Sequence, residues 1–79
     1  MGEALSLLQL RPGQSAVVVG CSAGHGLMCR LAAMGFTPGS RLTVLSNYGG
    51  GPLLVMVHGS RIALGRGEAA KVMVRPEET

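Results

Sequence analysis

Seventy-nine residues, 47% of them apolar and 14% charged, suffice for one small domain and are too apolar for a disordered chain. The net charge of +3 sets seven basic residues against four glutamates, with no aspartate. So few carboxylates exclude most general acid–base, magnesium-assisted and glycoside chemistry. The longest apolar run, Leu53 to Val57, is far below the ~20 residues of a transmembrane helix. The first ten residues have no basic start and carry Glu3, so no secretory signal is expected and the cytoplasm is the expected compartment. Met1-Gly2 with Ser6 fits a loose N-myristoylation pattern, but nothing polybasic follows at once, and an ordinary start is expected.

Along the chain, Ser6 suits a helix N-cap and Pro12-Gly13 a turn, which predicts one helical turn between them. Ala16 to Cys21 is a valine-rich strand, buried on both sides or against a barrel interior. Gly20 to Gly26 reads as a loop. Leu27, Leu31 and Met34 then recur at helical spacing, predicting a short helix that Gly35 stops in the left-handed conformation. Pro38-Gly39 suits the centre of a type II turn. In the next strand Arg41 and Thr43 alternate with Leu42 and Val44, although Leu45 breaks the alternation.

Asn47 to Pro52 is turn chemistry, so the strand Leu53 to His58 doubles back in a hairpin with a long tip. Gly59-Ser60 predicts a tight connection to a fourth strand, Arg61 to Leu64. Gly65 to Ala70 holds enough helix-forming sequence for one turn, and Lys71 to Arg75 is a fifth strand that Pro76 ends. Five short strands among thirteen glycines predict a small closed or nearly closed β-barrel, a shape that hides strand edges.

Three constellations invite chemistry. Gly20, Gly24 and Gly26 between a strand and a helix resemble a nucleotide-binding turn, but the acidic ribose contact about 20 residues on is missing. Cys21, His25 and Cys29, with His58 as a fourth donor, are spaced to present ligands to zinc or ferrous iron. This spacing lacks the paired short spacings of structural zinc sites, so no resident metal is expected, only adventitious or weak zinc or iron. A Cys–His nucleophile from the same residues has no evident orienting group, and no enzyme is expected. The basic residues are dispersed singly and aromatics are few, which argues against nucleic acid as a partner.

One segment carries a family likeness. Leu31, Met34, Gly35, Phe36, Pro38 and Gly39 fall in a pattern that resembles the L-x-x-[LM]-G-[ILMF]-x-P-G signature of the ferrous iron transport protein A (FeoA) family. Leu7, Leu10, Pro12 and Gly13 resemble its L-x-x-L-x-P-G opening. Gly50-Gly51-Pro52, then Ile62-Ala63-Leu64 with Glu68-Ala69, resemble its later segments, in one frame over about residues 5 to 75.

The resemblance implies a single domain over residues 1–79, mainly β: an SH3-like five-stranded barrel with one short α-helix and one or two single-turn helices. It also implies a cytoplasmic accessory protein of ferrous iron uptake that docks onto the membrane transporter FeoB, whose GTPase or assembly it influences. It reaches the membrane only through FeoB. Leu31 is the expected principal contact, with Met34, Gly35 and Phe36 shaping the surface; Cys21, His25 and Cys29 match no family motif. Leu31 and Met34 also sit on the apolar helical stripe and read first as core-packing residues. Two rivals are the SH3-like domain of a metal-dependent repressor, disfavoured by a 79-residue chain without a DNA-reading helix, and an RNA- or ribosome-associated barrel. Whether the chain forms a homo-oligomer is left open by its sequence.

Overall fold

Alternation of burial organises this chain. A computed structural model describes residues 4–21, 32, 33 and 35–77, and in it each main strand turns alternate side chains to one interior. β1 is Leu5–Ser6, followed by a 3-10 turn at Leu7–Gln9; β2 is Ser15–Cys21, β3 Arg41–Ser46, β4 Leu53–Val57, β5 Ser60–Leu64, α1 Arg66–Ala69 and β6 Val72–Pro76. All neighbours are antiparallel, in the order β1-β6-β2-β3-β4-β5.

Ala16 and Val18, Leu42 and Val44, Leu53, Val55 and Val57, and Val72 and Val74 all point inward and are buried. Phe36, Leu7, Leu10 and Leu64 complete the same cluster. A buried aliphatic side chain contributes about 1.5–3 kcal/mol, so an interior of this kind is the main favourable term for so small a domain. Val17 is half-buried and Val19 is 39% exposed, so the valine run of β2 faces the interior on one side only.

Five main strands stand where the sequence places them, and β1 is a sixth, two residues long, that pairs with Val74 and Met73. Among the described residues no ladder joins β5 to β1. The rolled sheet is therefore open along that seam. The 3-10 turn that follows one edge strand and α1 that follows the other touch across it, with Ser6 Oγ donating to the Ala70 carbonyl at 3.0 Å. Ser6 is the expected N-cap: its Oγ accepts from the Leu8 N–H, while its own N–H donates to Gln9 Oε1 at 2.9 Å, which closes a capping box.

Two irregularities have sequence causes. Register shifts between Val44 and Ser46, so Leu45, the residue that breaks alternation, is the extra residue of a bulge. The β4–β5 turn lies one residue earlier than the Gly-Ser reading predicts. Val57 pairs with Ser60, and the two turn residues are His58 and Gly59, at φ of 52° and 79°. Positive φ at both central residues is what a right-twisted two-residue hairpin requires, and it takes precedence over the usual reluctance of histidine to adopt it.

The long β3–β4 loop is tied to the rest of the fold by Asn47. Its amide donates to the Leu8 and Leu10 carbonyls at 3.0 and 2.7 Å, and its Oδ1 accepts from Arg66, which also donates to the Gly51 carbonyl at 3.3 Å. One side chain thus joins the 3-10 turn, the loop and α1. Asn47→Ala strands two part-buried carbonyls and is expected to cost about 2 kcal/mol, read as a lower urea midpoint at unchanged slope. A midpoint equal to that of the parent chain would show that water replaces these bonds without loss.

Candidate docking site

The signature segment is fixed between two parts of the sheet. Ala32 and Ala33 are helical, and the Gly35 N–H donates to the Ala32 carbonyl at 3.0 Å with φ of 97°, the left-handed stop expected there. Gly35 also has a second reason to be glycine: a Cβ would stand 3.1 Å from His58 Cδ2 and 3.3 Å from Val57 Cγ1. The helix end therefore abuts the β4–β5 hairpin tip.

After Phe36, Thr37 to Ser40 form the type II turn, with the Ser40 N–H donating to the Thr37 carbonyl at 2.9 Å and Gly39 at φ of 92°. Thr37 and Ser40 hydroxyls bond at 2.8 Å. The turn is then stitched to β2: Gly39 N–H donates to the Val18 carbonyl and Val18 N–H to the Ser40 carbonyl, both at 2.8 Å.

Of the residues expected to form the contact, Leu31 and Met34 lie outside the described residues. Gly35 is half-buried. Phe36 was expected to shape the surface but is 1% exposed and belongs to the core. Its ring is the largest buried side chain, and burying it gains more than presenting it to solvent. Among its described residues the segment offers Ala32, Ala33, Thr37, Pro38 and Gly39 to solvent, beside the exposed His58, Gly59 and Ser60.

The metal candidates divide in the same way. His25 and Cys29 lie outside the described residues. Cys21 is half-buried at the end of β2 opposite Val72, and His58 is exposed on the β4–β5 turn. Among the described residues no three His, Cys, Asp or Glu side chains come together as a metal-holding group. From sequence His58 reads as a strand end and as a candidate metal ligand or nucleophile, with no sign that its ring stands beside Gly35. Asn47 likewise reads there only as a turn residue.

A small rolled antiparallel sheet, with its seam covered by two single helical turns and a rigid glycine-bounded segment on its rim, is an SH3-like β-barrel. The FeoA domain model matches residues 5–76, and the chain belongs to the FeoA family, that of ferrous iron transport protein A. A Methanocaldococcus jannaschii protein named as an Fe(2+) transport protein A is 43% identical over 68 residues, which span 86% of this chain and 82% of that one. The crystal structure of an iron uptake regulatory protein (FeoA) superposes with a TM-score of 0.88 at 37% identity, over 95% of this chain and all of its own. The zinc complex of Stenotrophomonas maltophilia FeoA, described as a procaryotic SH3 domain protein, gives 0.76 at 35% identity, over 89% of this chain and 88% of its own.

Gly35 and Gly39 both need positive φ, but only Gly35 lacks room for a methyl group; nothing lies within 4 Å of a Cβ at Gly39. Gly39→Ala is expected to cost about 1 kcal/mol and Gly35→Ala about 2 or more, measured by urea unfolding. Equal costs would mean that His58 and Val57 give way freely.

Proposed function

We propose that this chain is a cytoplasmic accessory protein of ferrous iron uptake that docks onto the FeoB transporter and influences its GTPase or assembly. It acts through contact and not through catalysis. The observation that carries the reading is the anchoring of Gly35 to Ser40 within the signature segment: Gly35 against the hairpin tip, Phe36 in the core and the Thr37–Ser40 turn bonded to β2. A contact segment held in place before binding loses little conformational entropy on docking. In this reading Leu31 and Met34 touch the partner. An interface under about 1,200 Å² suits a transient regulator. Among the described residues no helix is long and apolar enough to cross a membrane, and in this reading the membrane is reached only through FeoB.

Leu31→Asn is expected to keep the circular dichroism spectrum of the parent chain while FeoB capture in a pull-down falls several-fold. Unchanged capture with an unchanged spectrum would remove Leu31 from the contact. We further propose that the protein works without a resident metal. Purified without added metal, it is expected to carry sub-stoichiometric zinc and iron by elemental analysis, with Cys21→Ser indistinguishable from it. One metal per chain, lost in that variant, would establish a site instead.

A further inference from the structure

The inner face of the sheet is filled by the core, and the outer face has a charge pattern that chain order conceals. Arg41 of β3 and Arg75 of β6 both stand opposite Val17 of β2. Thr43, two residues beyond Arg41, stands opposite Met56, which in turn stands opposite Arg61. Side chains two apart on a strand share a face, so Val17, Thr43 and Met56 lie between three arginines on the outer surface. With strands about 4.8 Å apart, Arg75 and Arg41 are separated by about 10 Å at the backbone, and Arg41 and Arg61 by slightly more.

All three arginines are exposed, whereas Val17 and Met56 are half-buried. Among the described residues the ion pair on this face is Arg41 Nε to Glu77 Oε1 at 2.6 Å, and it leaves the Arg41 side chain 68% exposed. The face is thus a strip of two apolar side chains, Val17 and Met56, on either side of Thr43, whose hydroxyl is bonded to that of Ser15 at 2.8 Å, rimmed by cations on strands that cannot shift without breaking the sheet.

We infer that the outer face of β6-β2-β3-β4-β5, with Arg41, Arg61 and Arg75 around Val17 and Met56, docks an acidic protein surface that presents carboxylates on either side of an apolar side chain. This rests on the docking reading above and names the surface and the chemistry of the partner for it. A planar guanidinium pairs bidentately with carboxylate and phosphate alike, so what lies between the arginines decides, and two observations favour a protein. The strip between the arginines rewards an apolar side chain, which a phosphate backbone does not supply. The face has no aromatic on which a base could stack, since Phe36 is buried and Tyr48 sits on the β3–β4 loop.

The experiment measures binding of the full chain to the soluble GTPase domain of its transporter at low and at physiological salt. Compared are the parent, Arg61→Glu, Arg75→Glu and, as a control of equal charge change on the turn before β2, Arg11→Glu. Circular dichroism checks the fold of each. Each face variant is expected to raise Kd about tenfold, the parent to weaken as salt rises, and Arg11→Glu to bind nearly as the parent does. Parent binding that both face variants retain, or that Arg11→Glu loses equally, overturns the face and leaves the docking reading intact. No binding by the parent overturns the docking reading and this inference with it. Tighter binding of a single-stranded RNA or of anionic phosphatidylglycerol vesicles than of the GTPase domain, abolished by the same variants, would assign the face to that ligand and overturn the protein partner.

Discussion

One-sided burial is the constraint from which the remaining structure follows. Each long strand commits alternate residues to a single interior, and a shift of one position anywhere would turn Ala16, Val18, Leu42 or Val44 out to solvent and bring arginine in. The two bulges show how strictly this is kept. At Leu45 and at Val19 an extra residue is accommodated by a local register shift, while Val44 and Val18 before the shift and Leu53 and Val72 on the partner strands stay buried. Stability and surface chemistry are therefore coupled, because a register that fixes the core also fixes which side chains face outward and at what spacing.

The turns that make the rolled shape possible depend on backbone conformations that most residues avoid. Gly13, Gly35, Gly39, Gly49 and Gly59 all have positive φ. At Gly35 the backbone constraint and the steric one coincide, since the hairpin tip occupies the space where a side chain would be. The signature segment is consequently held by packing on one side and by β2 hydrogen bonds on the other, which explains how a stretch with so little regular structure can present a constant surface.

Much of this was legible in the sequence. The alternation in Arg41–Val44, the stop at Gly35, the Pro38-Gly39 turn and the break at Leu45 each have a local cause that a short window contains. What was not legible depends on partners distant in the chain. β1 is two residues with no periodicity of its own, and it exists because Val74 and Met73 accept it at the sheet edge. Phe36 looked available for a contact because sequence does not show that a core needs filling at that point. The hairpin turn was displaced because His58, a poor left-handed residue by itself, is placed there by pairing of the strands on either side. Asn47 read as turn chemistry, and its bonds to Leu8, Leu10 and Arg66 appear only when three separate segments meet.

The arginines illustrate the same limit at the level of function. In the chain they are dispersed, and dispersed surface charge ordinarily serves solubility alone. The ladder gathers Arg41, Arg61 and Arg75 around one strip, and among the described residues the acid that pairs with this face is Glu77. Glu77 does more than cancel a charge. By holding the Arg41 guanidinium at 2.6 Å it orients one of the three cations, and the strands set the origin of the other two. A partner able to satisfy this arrangement needs carboxylates at a defined separation, because misplaced acids would leave arginines desolvated and unpaired. The face therefore discriminates by spacing as well as by charge, which a cluster of lysines on a flexible tail would not achieve.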